Sequence, residues 1–150
     1  VYGTLDNVAK GKTAVASSTN GSYGAERAVD GTLSTYWDAA ATEWETATEE
    51  QLPYVVVDLE GTYELEHINI MNYRNAKRYY QYRIYTSMDG EEYTLLGEKK
   101  DDVNSFFSKN FDAAGTTARY VKPLYSSVLR TSSSYSVPSS STMVIKSEPY

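Results

Sequence analysis

Short β-prone runs recur about every ten residues along this chain, each closed by a turn signal, and long helix-forming windows are absent. That rhythm predicts a sandwich or barrel. Thr13 to Ser17 is a first candidate strand. Leu52 to Leu59 is the strongest apolar run, and Glu60-Gly61-Thr62 is expected to end it. Glu64 to Met71 and Tyr80 to Ser87 alternate apolar and polar side chains. Tyr82, Ile84 and Thr86 share one face of the second run, with Tyr85 on the other. Asp89-Gly90 signals a hairpin into Tyr93 to Leu96. Phe106 to Phe111, Arg119 to Leu124 and Thr142 to Lys146 complete the set, and Glu26 to Val29 reads as one helical turn. Ser126 to Thr142 holds nine serines in 17 residues and is read as an exposed loop between the last two strands. Tyrosine supplies 15 of the 20 aromatic residues, which suits strands and contact surfaces. The expectation is one all-β domain over residues 1–150, working as a monomer outside the cytoplasm.

Charge and cysteine content narrow the function. The chain has 20 acidic and 14 basic residues, a net charge of −6, which repels nucleic acid and anionic membranes on average. With no cysteine there is no disulfide scaffold, thiolate metal site or cysteine nucleophile. No run of 18 apolar residues suggests a transmembrane helix. A start at Val1 without an apolar leader suggests a processed or excised module. The charges are also segregated. Ala28 to Tyr73 has no Lys or Arg, and ten acids lie between Asp30 and Glu66. His67 to Met88 has no acid but carries Arg74, Lys77, Arg78 and Arg83. Such a run is either a solvated face or a site for an anion.

Five motifs in order carry a resemblance. They are Asn7 to Ser18, Ala28-Val29-Asp30-Gly31 followed by Thr35-Tyr36-Trp37, Tyr54 to Glu60, Tyr82 to Gly90 and Ala118 to Lys122. Together they resemble the discoidin-like domains, the C-type domains of coagulation factors. The bacterial family 32 carbohydrate-binding modules are the most similar branch. Glu60 stands where the family usually has glycine, and the ending Ser147-Glu148-Pro149-Tyr150 departs from the family's last strand.

The resemblance implies a jelly-roll β-sandwich that binds sugars through loops at one end and has no catalytic role. It also implies a structural calcium site formed by Arg27, Asp30, Thr32 and Thr35, completed by Ser147 and Glu148. Calcium takes six to eight oxygen ligands, which a glycine-containing turn rich in carbonyls can offer. The competing reading is a plain turn capped by Asp30. The same family likeness makes Arg74 the sugar-reaching arginine. Its fork of donors suits paired hydroxyls or a carboxylate. Asn75 both donates and accepts, and Tyr73, Tyr79 and Tyr80 offer ring faces.

Galactose-binding members commonly place a histidine after the motif tryptophan, where this chain has Asp38. The single histidine, His67, is expected to pack in the core, as is Trp37. Trp44, in an acidic loop, either stacks on sugar or packs. With Arg74, Lys77 and Arg78 gathered in an acidic chain, the expected ligand is a uronic-acid polysaccharide such as polygalacturonate, the backbone of pectin. Lys99, Lys100, Lys109 and Arg130 are candidates to extend the site. The alternatives are a binder of neutral galactosides or other glycans, and a protein- or phospholipid-binding domain using apolar loop residues such as Phe106-Phe107. An enzyme would need a nucleophile with its base, or supported paired acids, and the sequence offers neither.

Overall fold

Alternating side chains along the chain build six strands among the described residues: β1 (Thr13–Ala16), β2 (Val55–Asn72), β3 (Arg78–Ser87), β4 (Thr94–Lys99), β5 (Lys109–Arg130) and β6 (Met143–Pro149). A computed structural model describes residues 8–19, 21–31, 35–39, 48–72, 78–101, 103, 109–130 and 143–149. Of Arg78, 127–130 and 143–149 only the backbone is described. Two 3-10 turns, Ala25–Ala28 and Glu49–Gln51, are the helical elements among these residues. Tyr73 to Lys77, Trp44 and Phe106-Phe107 lie outside the described residues.

The two long strands make the sandwich. Up to Asp58, β2 pairs with β1 on one side and with the second half of β5 on the other, as Thr13↔Asp58 and Val57↔Val121. From Tyr63 onward it pairs with the first half of β5, down to Ile70↔Lys109, and with β6, down to Asn72↔Met143. Between these two stretches, the four residues 59–62 of β2 stand opposite Arg119 alone, since Asp58 pairs with Tyr120 and Tyr63 with Ala118. An unequal count of this kind bends a strand sharply. One layer therefore reads β1-β2-β5-β3-β4, and the other is built from β6, β2 and β5.

This corrects three sequence expectations. Glu60-Gly61-Thr62 does not end a strand but bends one. Phe111 and Arg119 belong to a single strand. Residues 126–130 of the serine-rich stretch continue β5, because Ser127 to Arg130 pair with Gln81 to Arg78. The remainder, 131–142, lies outside the described residues.

Glu60 turns the corner with a φ of 61°, a conformation that costs a side-chain-bearing residue roughly 1–2 kcal/mol. Three hydrogen bonds offset that cost. Its carboxylate accepts from the Thr13 N–H (3.1 Å) and hydroxyl (3.2 Å), and its own N–H donates to Asp58 Oδ1 (2.8 Å). Arg119 then forks onto both Asp58 oxygens at 2.8 and 3.0 Å.

Core side chains come from both layers: Val55, Val57, Leu59, Tyr80, Tyr82 and Ile84 face Leu65, Ile68, Ile70 and Phe111. Trp37 is fully buried, as expected, and its indole N–H donates to the Ser18 carbonyl at 3.0 Å. Two other residues differ from expectation. Tyr80 is core rather than a sugar-facing ring, packed edge-on against Tyr125. His67 is only half-buried, with Nδ1 3.2 Å from Asn110 Nδ2. A register shift between Leu65 and His67 breaks the alternation there and turns the imidazole off the core face.

Candidate functional site

Strand ends define one end of the sandwich. Asn72 pairs with Met143, Ile70 with Lys109 and Arg78 with Arg130. The two layers are tied at this level by Asn72, whose Nδ2 donates to the buried Tyr125 hydroxyl at 2.6 Å. The connection Tyr73-Arg74-Asn75-Ala76-Lys77 runs between Asn72 and Arg78, so it begins and finishes at this end, although its own residues lie outside the described set. Arg78 opens β3 by backbone pairing with Arg130. Tyr79 follows it, half-buried, with the Lys99 Nζ 6.0 Å from its ring centre.

Of the candidate extending cations, Lys99 and Lys100 are already paired, Lys109 lies over the Phe111 ring at 5.8 Å, and the Arg130 side chain lies outside what is described. Lys99 is 7% exposed. Its ammonium donates to the carbonyls of Val103 (2.9 Å) and Tyr80 (3.1 Å) and ion-pairs with Asp101 at 2.8 Å. That pairing holds the Asp101 carboxyl below the usual carboxylate range, against a smaller opposing effect of burial. Lys99 thus pins Asp101 and Val103 to β3 and is not a ligand-facing charge. Gln81 assists, its side-chain amide donating to the Lys100 carbonyl at 2.8 Å. Lys100 is exposed and pairs with Glu98 at 3.3 Å. Arg83 pairs with Glu49, from the acidic stretch of the sequence. The segregated charges therefore meet in space at this point. No feature of the local sequence around Lys99 marks it as buried; its partners are carbonyls, which every residue carries.

The Asp30 turn sits to one side. Its approach is held by backbone bonds from Arg27 N–H to the Gly24 carbonyl and from Gly11 N–H to the Val29 carbonyl. Gly31 has a φ of 82°, in the left-handed region that side-chain-bearing residues rarely adopt, which favours glycine there. The Thr35 hydroxyl donates to Asp30 Oδ2. Two of the four residues of this turn expected to ligate are thereby brought together. Arg27 is half-buried, with its guanidinium over the Tyr23 ring, which in turn stacks on Tyr36 at 4.8 Å. Thr32 lies outside the described residues. Ser147 and Glu148 are in β6, backbone-paired with Ile68 and His67, and β6 lies against the Ala25–Ala28 turn. Side-by-side carboxylate and hydroxyl oxygens suit a hard cation such as calcium. Among the described residues no three His, Asp or Glu side chains cluster. Next to the motif, Asp38 is buried and its N–H donates to the Tyr23 carbonyl at 3.1 Å.

The family model for the F5/8 type C domain matches residues 13–128, over three-quarters of the chain. This chain belongs to the F5/8 type C domain family. Solved structures share its fold. A family 89 glycoside hydrolase from Clostridium perfringens superposes with a TM-score of 0.71 at 24% identity, over 98% of this chain and 15% of the enzyme. This F5/8 type C domain thus spans a small part of that enzyme's length. Chitosan-binding module 1 of a chitosanase/glucanase from Paenibacillus sp. IK-5 gives a TM-score of 0.72 at 21% identity, covering 95% and 98% of the two chains. A pectin-binding carbohydrate-binding module gives 0.68 at 17% identity, covering 90% and 88%. No curated protein sequence matches the chain. Among the described residues no helix is long and apolar enough to cross a membrane.

Proposed function

We propose that this domain is a non-catalytic, extracellular carbohydrate-binding module that holds an acidic polysaccharide, with polygalacturonate as the favoured ligand. The supporting observation is the convergence of strand ends around the Tyr73 to Lys77 connection. Lys99 and Arg83, two other cations of the basic half of the chain, are already engaged by Asp101 and Glu49. An anionic ligand would therefore be met by Arg74, Lys77 and Arg78, with Asn75, Tyr73 and Tyr79 shaping the sugar contact. Fold likeness leaves the sugar open, since one neighbour binds chitosan, an amine-bearing polymer, and another binds pectin, a carboxylate-bearing one. The charge of the loop is the feature that separates these chemistries in this chain. A shallow basic platform binds each unit weakly and gains by avidity along a polymer.

Native affinity electrophoresis in gels containing polygalacturonate or galactan tests this. Retardation by polygalacturonate is expected, weakening as salt rises because exposed charges are screened over about 8 Å at physiological ionic strength. Arg74→Ala should abolish most of it, and Lys100→Ala little. Equal losses in the two variants would move the site away from this loop. The Asp30 turn is proposed as a structural calcium site, held by Asp30, Thr35 and the carbonyls of Arg27 and Thr32, with Ser147 and Glu148 completing it. A chelator should then lower the melting temperature, because an ion bound only by the folded state stabilises it by mass action. An unchanged melting curve would remove the metal.

A further inference from the structure

We propose a second sugar subsite, for a neutral pyranose, in a depression on the outer face of the β1-β2-β5-β3-β4 layer. Strand alternation points Tyr85 of β3 and Lys122 of β5 outward, beside Tyr54 at the entry to β2 and Tyr93 just before β4. Glu49 and Glu50 form the rim, and the space they enclose is about 280 Å³. Drug-sized ligands fill ~300–1,000 Å³, so this hollow suits one or two sugar rings.

The charges within it select the ligand. The Lys122 ammonium lies 4.5 Å from the Tyr54 ring centre and 5.2 Å from that of Tyr93. A cationic ligand would have to displace it from rings that already hold a cation. Arg83 pairs with Glu49 and donates to the Tyr85 hydroxyl at 3.0 Å. An anionic ligand would approach Glu49 and Glu50. The two acids and two cations balance, which leaves a neutral polyol as the complementary occupant. Its hydroxyls can donate to the rim carboxylates and accept from Lys122, while its C–H faces lie on tyrosine. The subsite rests on the reading that this domain binds glycans, but its residues are separate from the Arg74 loop.

The test is titration of the whole chain with three neutral polymers, galactan, xyloglucan and laminarin, and in parallel with polygalacturonate and chitosan. At least one neutral polymer should bind, and Tyr85→Ala and Tyr93→Ala should each weaken it about tenfold. The same variants should keep polygalacturonate binding and a cooperative melt. Failure of all three neutral polymers, or neutral binding untouched by both variants, overturns the subsite. Chitosan binding lost on Glu50→Gln would overturn it in favour of an amine site. Loss of polygalacturonate binding in the wild type would instead count against the loop site alone.

Discussion

The two ends of the sandwich are built by opposite means. At the β3–β4 hairpin the polar groups satisfy one another locally. The Ser87 hydroxyl donates to Asp89 and accepts the Gly90 N–H at 2.8 Å, and Asp89 Oδ1 accepts the N–H groups of Glu91 and Glu92 at 2.9 and 3.0 Å. These backbone donors, with Ser87, hold the Asp89 carboxyl below its usual range. At the opposite end the bonds join residues far apart in sequence: Lys99 to the Tyr80 carbonyl and Asn72 to Tyr125. The bonds of the hairpin turn all lie within the six residues Ser87 to Glu92. The Lys99 end exists only once four strands, β2 to β5, have assembled, and that is the end from which the proposed binding loop departs.

The contrast can be broken by mutation. The largest effect is expected from Lys99→Met, which leaves buried carbonyls without their donor and Asp101 without its cation. It should cost about 2–4 kcal/mol in chemical denaturation and weaken polygalacturonate binding as well. A loss of stability with binding intact would separate the scaffold from the site. Asn72→Leu strands the Tyr125 hydroxyl, in a site where burial already pushes the phenol pKa up, and should cost about 1–3 kcal/mol. Gly90→Ala tests the hairpin end. With φ at 81° and the added methyl 3.2 Å from the Tyr120 ring, about 1–2 kcal/mol should be lost, with no change in glycan binding.

Acid should weaken both ends and the bend between them, since Asp89, Asp101 and Asp58 are all held below the usual carboxylate range. Arg119 holds Asp58 below the usual carboxylate pKa of 3.8, and Lys99 does the same for Asp101. For a lowered carboxylate the unfolded chain takes up protons first. The stabilisation is therefore complete above about pH 4 and lost as pH falls through the folded value. Melting temperature should drop as pH falls below about 4, and Lys99→Met should flatten the part of that drop due to Asp101. The smallest effect is expected at Glu60→Gly, where relief of backbone strain is set against loss of the bonds to Thr13. A net change within about 1 kcal/mol should appear in the melt.

Much of the sandwich was legible because its signals are local. Alternation in Tyr80 to Ser87 marks the buried face of β3, Asp89-Gly90 marks its hairpin, and the Ala28 to Trp37 motif marks both the buried indole and the Asp30 turn. The strand breaks were misread for a related reason. Glu60-Gly61 carries the composition of a terminator, yet Thr13 and Asp58 hold it as a bend, and Thr13 reaches it only across the pairing of β1 with β2. His67 escaped the core through a register shift that no periodicity displays. The proposed ligand loop was legible only as charge: Arg74, Lys77 and Arg78 stand out against the acids around them.

Sequence alone determined the family, the all-β class and the surplus of basic charge in one connection, because composition, turn chemistry and motif spacing are properties of neighbouring residues. Tertiary structure decided that β2 and β5 each serve two layers and that Lys99 is consumed as a strut. It also decided that Tyr54, Tyr85, Tyr93 and Lys122 share one hollow. The physical reason is that cross-strand pairing and burial set these contacts, and neither is encoded at any one position of the chain.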